Sequence, residues 1–267
     1  MFLYSLLYYV FFTVTSAIFF VGAVPLVLIT YPFDRNRLIL HLYSCAWAQL
    51  YYRIHPFWKL RIEGRERLPW KGPAVLVSNH QSLGDVLVLF GLFKPFKWVS
   101  KASVFKLPFL GWNMWLNGYV GLVRGDKESI AKMMVACADW LKKGVPVLMF
   151  PEGTRSDDGE IKAFKDGAFR LAIDQNCPVF PILLSGTGAT LPKSGFRVTL
   201  RSNCLVRILP AVDPAQFKGD LAALRDHVRE LLIAEKRKVE QLTADKDVFG
   251  DGTVMILRAP GHTPGHS

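Results

Sequence analysis

No charged side chain occurs before Asp34. From Met1 to Thr30 the chain is a run of Leu, Phe, Tyr, Val and Ile with a few small or hydroxylated residues between them. That is longer than the roughly 20 residues a bilayer-spanning helix needs, and a fully buried core helix is a poor home for so long a run. A secretory leader is disfavoured, because no basic segment precedes the apolar stretch and no small-residue cleavage site ends it. Asp34, Arg35 and Arg37 follow at once, and the chain beyond is rich in Lys and Arg. The positive-inside tendency puts that bulk on the cytoplasmic side of a membrane. Residues 36–58 form a second mostly apolar segment, with Arg37, His41 and Arg53 set among Trp47, Tyr51, Tyr52 and Trp58. Such aromatics favour the lipid headgroup level, so the segment is either an interfacial helix or the second arm of a shallow helical hairpin. The expected division is an anchoring segment over 1–58, a globular domain over 59–243 and a tail over 244–267.

The formal net charge of +11 favours polyanions or an anionic bilayer surface as partners. Nucleic acid is not expected, since neither zinc-finger spacing nor an aromatic-glycine RNA-binding motif occurs. Cys45, Cys137, Cys177 and Cys204 are scattered with no C-x-x-C pair, which reads as free thiols in a reducing compartment.

Beyond Arg61 short apolar strands alternate with helices. Strands are expected at 74–78, 97–100, 145–150, 179–184, 197–200 and 205–209. Helices are expected over 83–93, over 127–143 with Gly144 as its stop, over 167–176, and from Pro214 to about Leu242. This alternation predicts an α/β fold with a mostly parallel central sheet flanked by helices, carrying an N-terminal membrane helix or helical hairpin.

Two short stretches carry the chemistry. Asn79-His80-Gln81-Ser82-Leu83-Gly84-Asp85 places a histidine and a carboxylate five positions apart where a strand gives way to a helix. A histidine takes a proton from an alcohol near neutral pH, and a carboxylate fixes its tautomer and stabilises the imidazolium. Positions i and i+5 lie roughly 140° apart on a regular helix. The pair therefore meets only if His80 sits in the turn before the helix, with Ser82 as the expected N-cap. No serine, cysteine or lysine nearby resembles an activated nucleophile, which favours direct attack by a substrate hydroxyl. The second stretch is Phe150-Pro151-Glu152-Gly153-Thr154-Arg155-Ser156, after another apolar strand. Gly153 lets the backbone approach a ligand. Arg155 offers a planar charged fork for a phosphate monoester, and Glu152 would orient that arginine or a substrate hydroxyl.

Together the two stretches resemble the glycerolipid acyltransferase family, specifically its 1-acylglycerol-3-phosphate acyltransferases. The resemblance extends to Ser100–Trp112, with Lys101, Pro108 and Gly111, then to Gly118 and Val123-Arg124-Gly125-Asp126, Phe164–Gly167 and Val179-Phe180-Pro181-Ile182. Many members carry an acidic residue where this chain has Ser103. The resemblance implies His80 and Asp85 as the catalytic pair. It implies Lys101, Arg124, Glu152, Gly153, Thr154 and Arg155 around the acceptor, and Pro181 shaping the acyl-donor region. It further implies lysophosphatidic acid as acceptor, acyl-CoA or an acyl-carrier protein as donor and partner, no metal and no bound cofactor. The expected setting is a bacterial inner membrane with the catalytic domain facing the cytoplasm. Other readings are a different lysolipid acceptor, such as lyso-ornithine lipid, or a lipid-binding module without turnover.

The tail, residues 248–267, does not fit that pattern. Its Pro-Gly-His-x-Pro-Gly-His segment resembles metallo-β-lactamase fold hydrolases, in which the last histidine, here His266, binds zinc. The partner H-x-H-x-D-H motif is absent, since the other histidines are His41, His55, His80, His227 and His262, and one or two ligands do not make a zinc site. The tail is expected to be inessential.

Overall fold

A computed structural model describes residues 2–191 and 198–244 of the chain. The tail, with His262 and His266, lies outside the described residues. Seven strands form one sheet in the order β1-β7-β6-β2-β5-β3-β4: β1 is Trp58–Glu63, β2 Val75–Ser78, β3 Lys97–Lys101, β4 Val120–Leu122, β5 Val147–Met149, β6 Val179–Ser185 and β7 Ser202–Ile208. All neighbours pair in parallel except β6 and β7, so the sheet is mostly parallel, as the alternation of elements predicts.

The strands are short and apolar because both faces are covered. Leu76, Leu148, Phe180 and Ile182 pack on one side with the helices α2 (Leu38–Arg53) and α3 (Gly84–Phe90). Val75, Val77, Val147, Met149 and Val179 pack on the other with α5 (Lys127–Lys142), α6 (Gly167–Asp174) and α7 (Leu221–Ala244). Burying each such side chain contributes about 1.5–3 kcal/mol. The start of α5 follows from its sequence: the Asp126 carboxylate accepts the Ser129 N–H at 2.7 Å. Gly144, at φ +72°, follows its end.

Two expectations need correcting. The helix foreseen from Pro214 begins instead at Leu221, because Lys218 and Gly219 both adopt positive φ and break the chain after a short 3-10 turn at Pro214–Phe217. Val198–Leu200 is not a strand, and residues 192–197 fall outside the described set.

The helix α1 (Phe2–Thr30) has a mean hydropathy of 2.3 over its apolar window and is long enough to cross a membrane. At 1.5 Å per residue it is about 43 Å long. Leu3, Leu7, Val10, Val14, Ile18, Val21 and Leu28 form an exposed stripe at helical spacing. The opposite side packs against protein. Ser16 Oγ meets the Tyr51 hydroxyl at 3.0 Å, the Tyr43 hydroxyl donates to the Phe19 carbonyl at 2.9 Å, and Phe19 stacks on Trp47. A side chain at Gly22 would collide with the Tyr43 hydroxyl, its Cβ falling 2.7 Å away. Phe20 packs edge-on against Trp112 of α4 (Leu110–Leu116).

Residues 36–58 carry α2, which packs against α1 on one side and the sheet domain on the other. Leu40, Cys45, Trp47, Tyr51 and Tyr52 of α2 are buried in the core, and Gln49 donates to the Leu87 carbonyl of α3 at 2.6 Å. The packing thus runs across the division drawn at residue 58, since the aromatics that suggested headgroups fill the space between α1 and the sheet. All four cysteines are buried and free.

Candidate active site

Five parallel strands, β6, β2, β5, β3 and β4, bring their C-terminal ends to one edge of the sheet, the place where open α/β sheets form sites. At the end of β2 the Asn79 side chain imitates a peptide. Its Nδ2 donates to the Leu184 carbonyl at 3.0 Å and its Oδ1 accepts the Leu184 N–H at 2.8 Å. This continues the β2–β6 ladder past the Ser78–Ile182 pair and fixes where the next residue emerges. Asn79→Ala would leave both Leu184 groups buried without partners, a loss of about 2–4 kcal/mol. Thermal unfolding of the variant measures it, and an unchanged Tm would show that the bracket carries no weight.

His80 Nδ1 lies 2.6 Å from Asp85 Oδ2. Asp85 is fully buried in the first turn of α3, so the pair meets across the turn as its five-residue spacing requires. The same oxygen accepts the Gln81 and Ser82 N–H groups at 2.6 and 2.9 Å. An oxygen that accepts from all three directions obliges Nδ1 to carry its hydrogen and donate it, which leaves Nε2 as the basic nitrogen. The imidazole stacks on Phe150 at 3.9 Å between centroids and 12° between planes. With only 12% of the side chain exposed, the ring has little freedom to turn away.

Ser82 caps differently from expectation. The helix starts at Gly84, and Ser82 Oγ accepts the Gly84 N–H at 2.9 Å while donating to the Thr187 carbonyl at 2.7 Å. The Gln81, Ser82 and Gly84 N–H groups are thus all engaged within the turn. These three N–H groups are therefore not available to a substrate oxyanion.

Glu152 holds the backbone as well. It is buried, and its carboxylate bridges two backbone segments, accepting the His80 N–H at 2.8 Å and the Lys162 N–H at 3.1 Å. Burial pushes its carboxyl upward in pKa, with the two N–H donors pulling the other way. The Ser156 N–H completes the junction by donating to the His80 carbonyl at 2.8 Å. Both backbone groups of His80 are therefore held by the second motif.

The remaining residues take several positions. Gly153 adopts φ +70°, and a Cβ there would fall 2.9 Å from Lys165 Cε. Arg155 is half-buried and Thr154 exposed. Lys101 ends β3 and Arg124 lies just beyond β4, both exposed. At about 4.8 Å per strand they stand roughly 10 and 14 Å along the edge from the strand of His80. Pro181 is buried inside β6, level with Val77, and its carbonyl accepts the Leu209 N–H at 2.9 Å. It shapes the strand from within and does not stand at the edge.

Residues 59–185, which hold both motifs, match the family model described as acyltransferase. A 1-acyl-sn-glycerol-3-phosphate acyltransferase alpha of Bos taurus is 34% identical over 209 residues, covering 76% of this chain and 69% of the bovine protein. The chain belongs to the acyltransferase family. A chloroplastic 1-acyl-sn-glycerol-3-phosphate acyltransferase of Arabidopsis thaliana is 40% identical over 205 residues, covering 74% of this chain. The chain spans 57% of that plant protein's length. The crystal structure of the 1-acyl-sn-glycerophosphate acyltransferase of Thermotoga maritima superposes with a TM-score of 0.71 at 26% identity, covering 91% of this chain and 99% of that one. In this acyltransferase, sequence reasoning left Asn79, Phe150 and Thr187 without roles. Phe150 stood inside a quoted motif, yet only the register of β2 against β5 brings its ring under the imidazole.

Proposed function

We propose that this acyltransferase moves a fatty acyl group from a thioester donor to the sn-2 hydroxyl of 1-acylglycerol-3-phosphate, giving phosphatidic acid. The observation that carries the reading is the His80–Asp85 pair, 2.6 Å apart, held at the same sheet edge as Arg155. Nε2 of His80 takes the hydroxyl proton while the oxygen attacks the thioester carbonyl. Asp85 stabilises the imidazolium that forms. As the tetrahedral intermediate collapses the C–S bond breaks, and the imidazolium returns its proton to the departing sulfur. The sequence of steps is complete with these groups and calls on no metal or bound cofactor. Arg155, with Lys101 and Arg124 on the edge beyond it, holds the acceptor phosphate. The donor is acyl-CoA or an acyl-carrier protein. The exposed stripe of α1 rests in lipid, with the catalytic domain on the cytoplasmic face of a bacterial inner membrane.

The test is transfer of labelled acyl groups from both donors to lysophosphatidic acid and to a phosphate-free lysolipid such as lyso-ornithine lipid. Arg155→Ala is expected to raise KM for lysophosphatidic acid about 10–100-fold, the worth of a charge-assisted contact, with kcat nearly unchanged. A wild-type preference for the phosphate-free acceptor, indifferent to Arg155, would replace the assigned substrate while keeping the chemistry.

A further inference from the structure

At the end of the sheet opposite His80, where β3 and β5 begin, the turn between α1 and α2 closes over a cavity of about 550 Å³. Arg35, Lys71, Lys97 and Lys143 line it, with Asp34 as the one carboxylate among the lining residues. That carboxylate is already engaged, because its two oxygens accept the Leu38 and Ile39 N–H groups at 2.9 and 2.7 Å at the start of α2. Arg35, Lys71 and Lys143 are exposed and make no ion pair among the described residues. Lys97 differs, being 1% exposed. Its ammonium donates to the Asn36 and Asn117 carbonyls at 2.8 and 2.7 Å and lies 4.3 Å from the centre of the Trp140 ring. Lys143 approaches the same ring at 4.8 Å.

Four basic side chains therefore face a single carboxylate across one concave space, an excess of positive charge carried mainly by the exposed Arg35, Lys71 and Lys143. Desolvation, and after it the Arg37 charge, lower the Lys97 pKa to about 7, with Asp34 pulling the other way. His41 contributes no charge. Both its nitrogens are occupied, by the Lys94 carbonyl and the Tyr119 hydroxyl, and burial lowers its pKa to about 3. The cavity opens where α1 ends, beside the exposed rings of Tyr31, a residue type that settles at headgroup depth, and Phe33, which suits the acyl boundary.

We propose that this cavity is a second anion site, taking a phosphate ester of the kind carried by an anionic phospholipid headgroup. Four residue steps along β3 take Lys97 to Lys101, about 13 Å along the strand, so the site is distinct from the acceptor phosphate site. Its existence does not depend on the reaction assigned above. A headgroup held there fastens the α1–α2 turn to the membrane surface.

The test uses the full chain in flotation with vesicles of phosphatidylcholine, with and without phosphatidylglycerol. It compares the wild type, the double variant Lys71→Gln with Lys143→Gln, and a control double variant, Lys132→Gln with Lys238→Gln, which removes equal charge elsewhere. Losing two cations at the headgroup is expected to weaken binding to phosphatidylglycerol vesicles roughly 30-fold. The control should lose much less, and binding to neutral vesicles should not change. Retained turnover in micelles shows that the variants are folded. A parallel arm follows thermal unfolding in neutral detergent with inorganic phosphate against chloride at equal ionic strength. A vesicle effect without a phosphate effect assigns the site to lipid. A phosphate-dependent rise in Tm that the double variant alone lacks assigns it to soluble phosphate esters. Equal losses in both double variants, with no phosphate effect, overturn the proposal.

Discussion

His80→Ala is expected to lower kcat for acyl transfer about 10²–10⁴-fold, the range for removing a positioned general base. Substrate KM values should stay close to wild type, since Asn79, Glu152 and Ser156 hold the turn through their own groups and the backbone, not through the imidazole. Asp85→Asn should fall by a similar factor for a different reason. The Asp85 oxygen now accepts from His80 Nδ1 and from the Gln81 and Ser82 N–H groups. An amide in its place supplies no charge to the imidazolium, and if it turns its NH₂ toward the ring it moves the ring hydrogen onto Nε2, away from catalysis. Steady-state kinetics with both donors checks each variant, and turnover above a tenth of wild type in His80→Ala would sink the base assignment.

Glu152→Ala should be the most damaging single change to stability near the site. It strands two N–H groups, those of His80 and Lys162, which now bond to a buried carboxylate. Hydrogen bonds to charged groups contribute about 1.5–3 kcal/mol each, so a loss of about 3–6 kcal/mol is expected. Glu152→Gln keeps one acceptor oxygen and turns an N–H₂ toward the other donor, so it should recover no more than half of that loss. The kinetic signature separates two roles for this residue. If Glu152 braces the His80 turn, kcat falls in both variants while KM for lysophosphatidic acid holds. If it contacts the acceptor or orients Arg155, KM rises instead. Calorimetry and kinetics on the same two variants decide between them.

Local chemistry made much of this legible from sequence. The five-residue spacing of His80 and Asp85 required a turn before the helix for the two side chains to meet, and the resemblance of the surrounding motifs, not the spacing alone, marked them as a pair. The parallel sheet followed from apolar runs too short and too unbroken to face water. What escaped reading depended on register between distant strands. Phe150 became a platform for the imidazole, and Glu152 a brace, only because β5 lies beside β2. The aromatics of residues 36–58 could not be placed from sequence because a tyrosine or tryptophan suits a headgroup layer and a protein core equally well, and only its neighbours decide. The break at Lys218 and Gly219 escaped because lysine carries little local signal for a left-handed backbone.

The clamping of α1 along its inward side has a mechanical consequence. A helix joined to a domain by a flexible tether can tilt to suit the bilayer while the domain floats at any height. Here Gly22 against Tyr43, Ser16 against Tyr51 and Phe20 against Trp112 leave no such joint, so immersion depth is a property of the whole body. With the exposed stripe of α1 in lipid, as proposed, mismatch between helix and bilayer is absorbed by the lipid, and the catalytic edge keeps a constant elevation above it. The glycerol hydroxyl of the lysolipid proposed as acceptor also rides at an elevation set by its own chain in the leaflet. The meeting of the two becomes a search in the plane of the membrane, one dimension fewer than a soluble enzyme must explore.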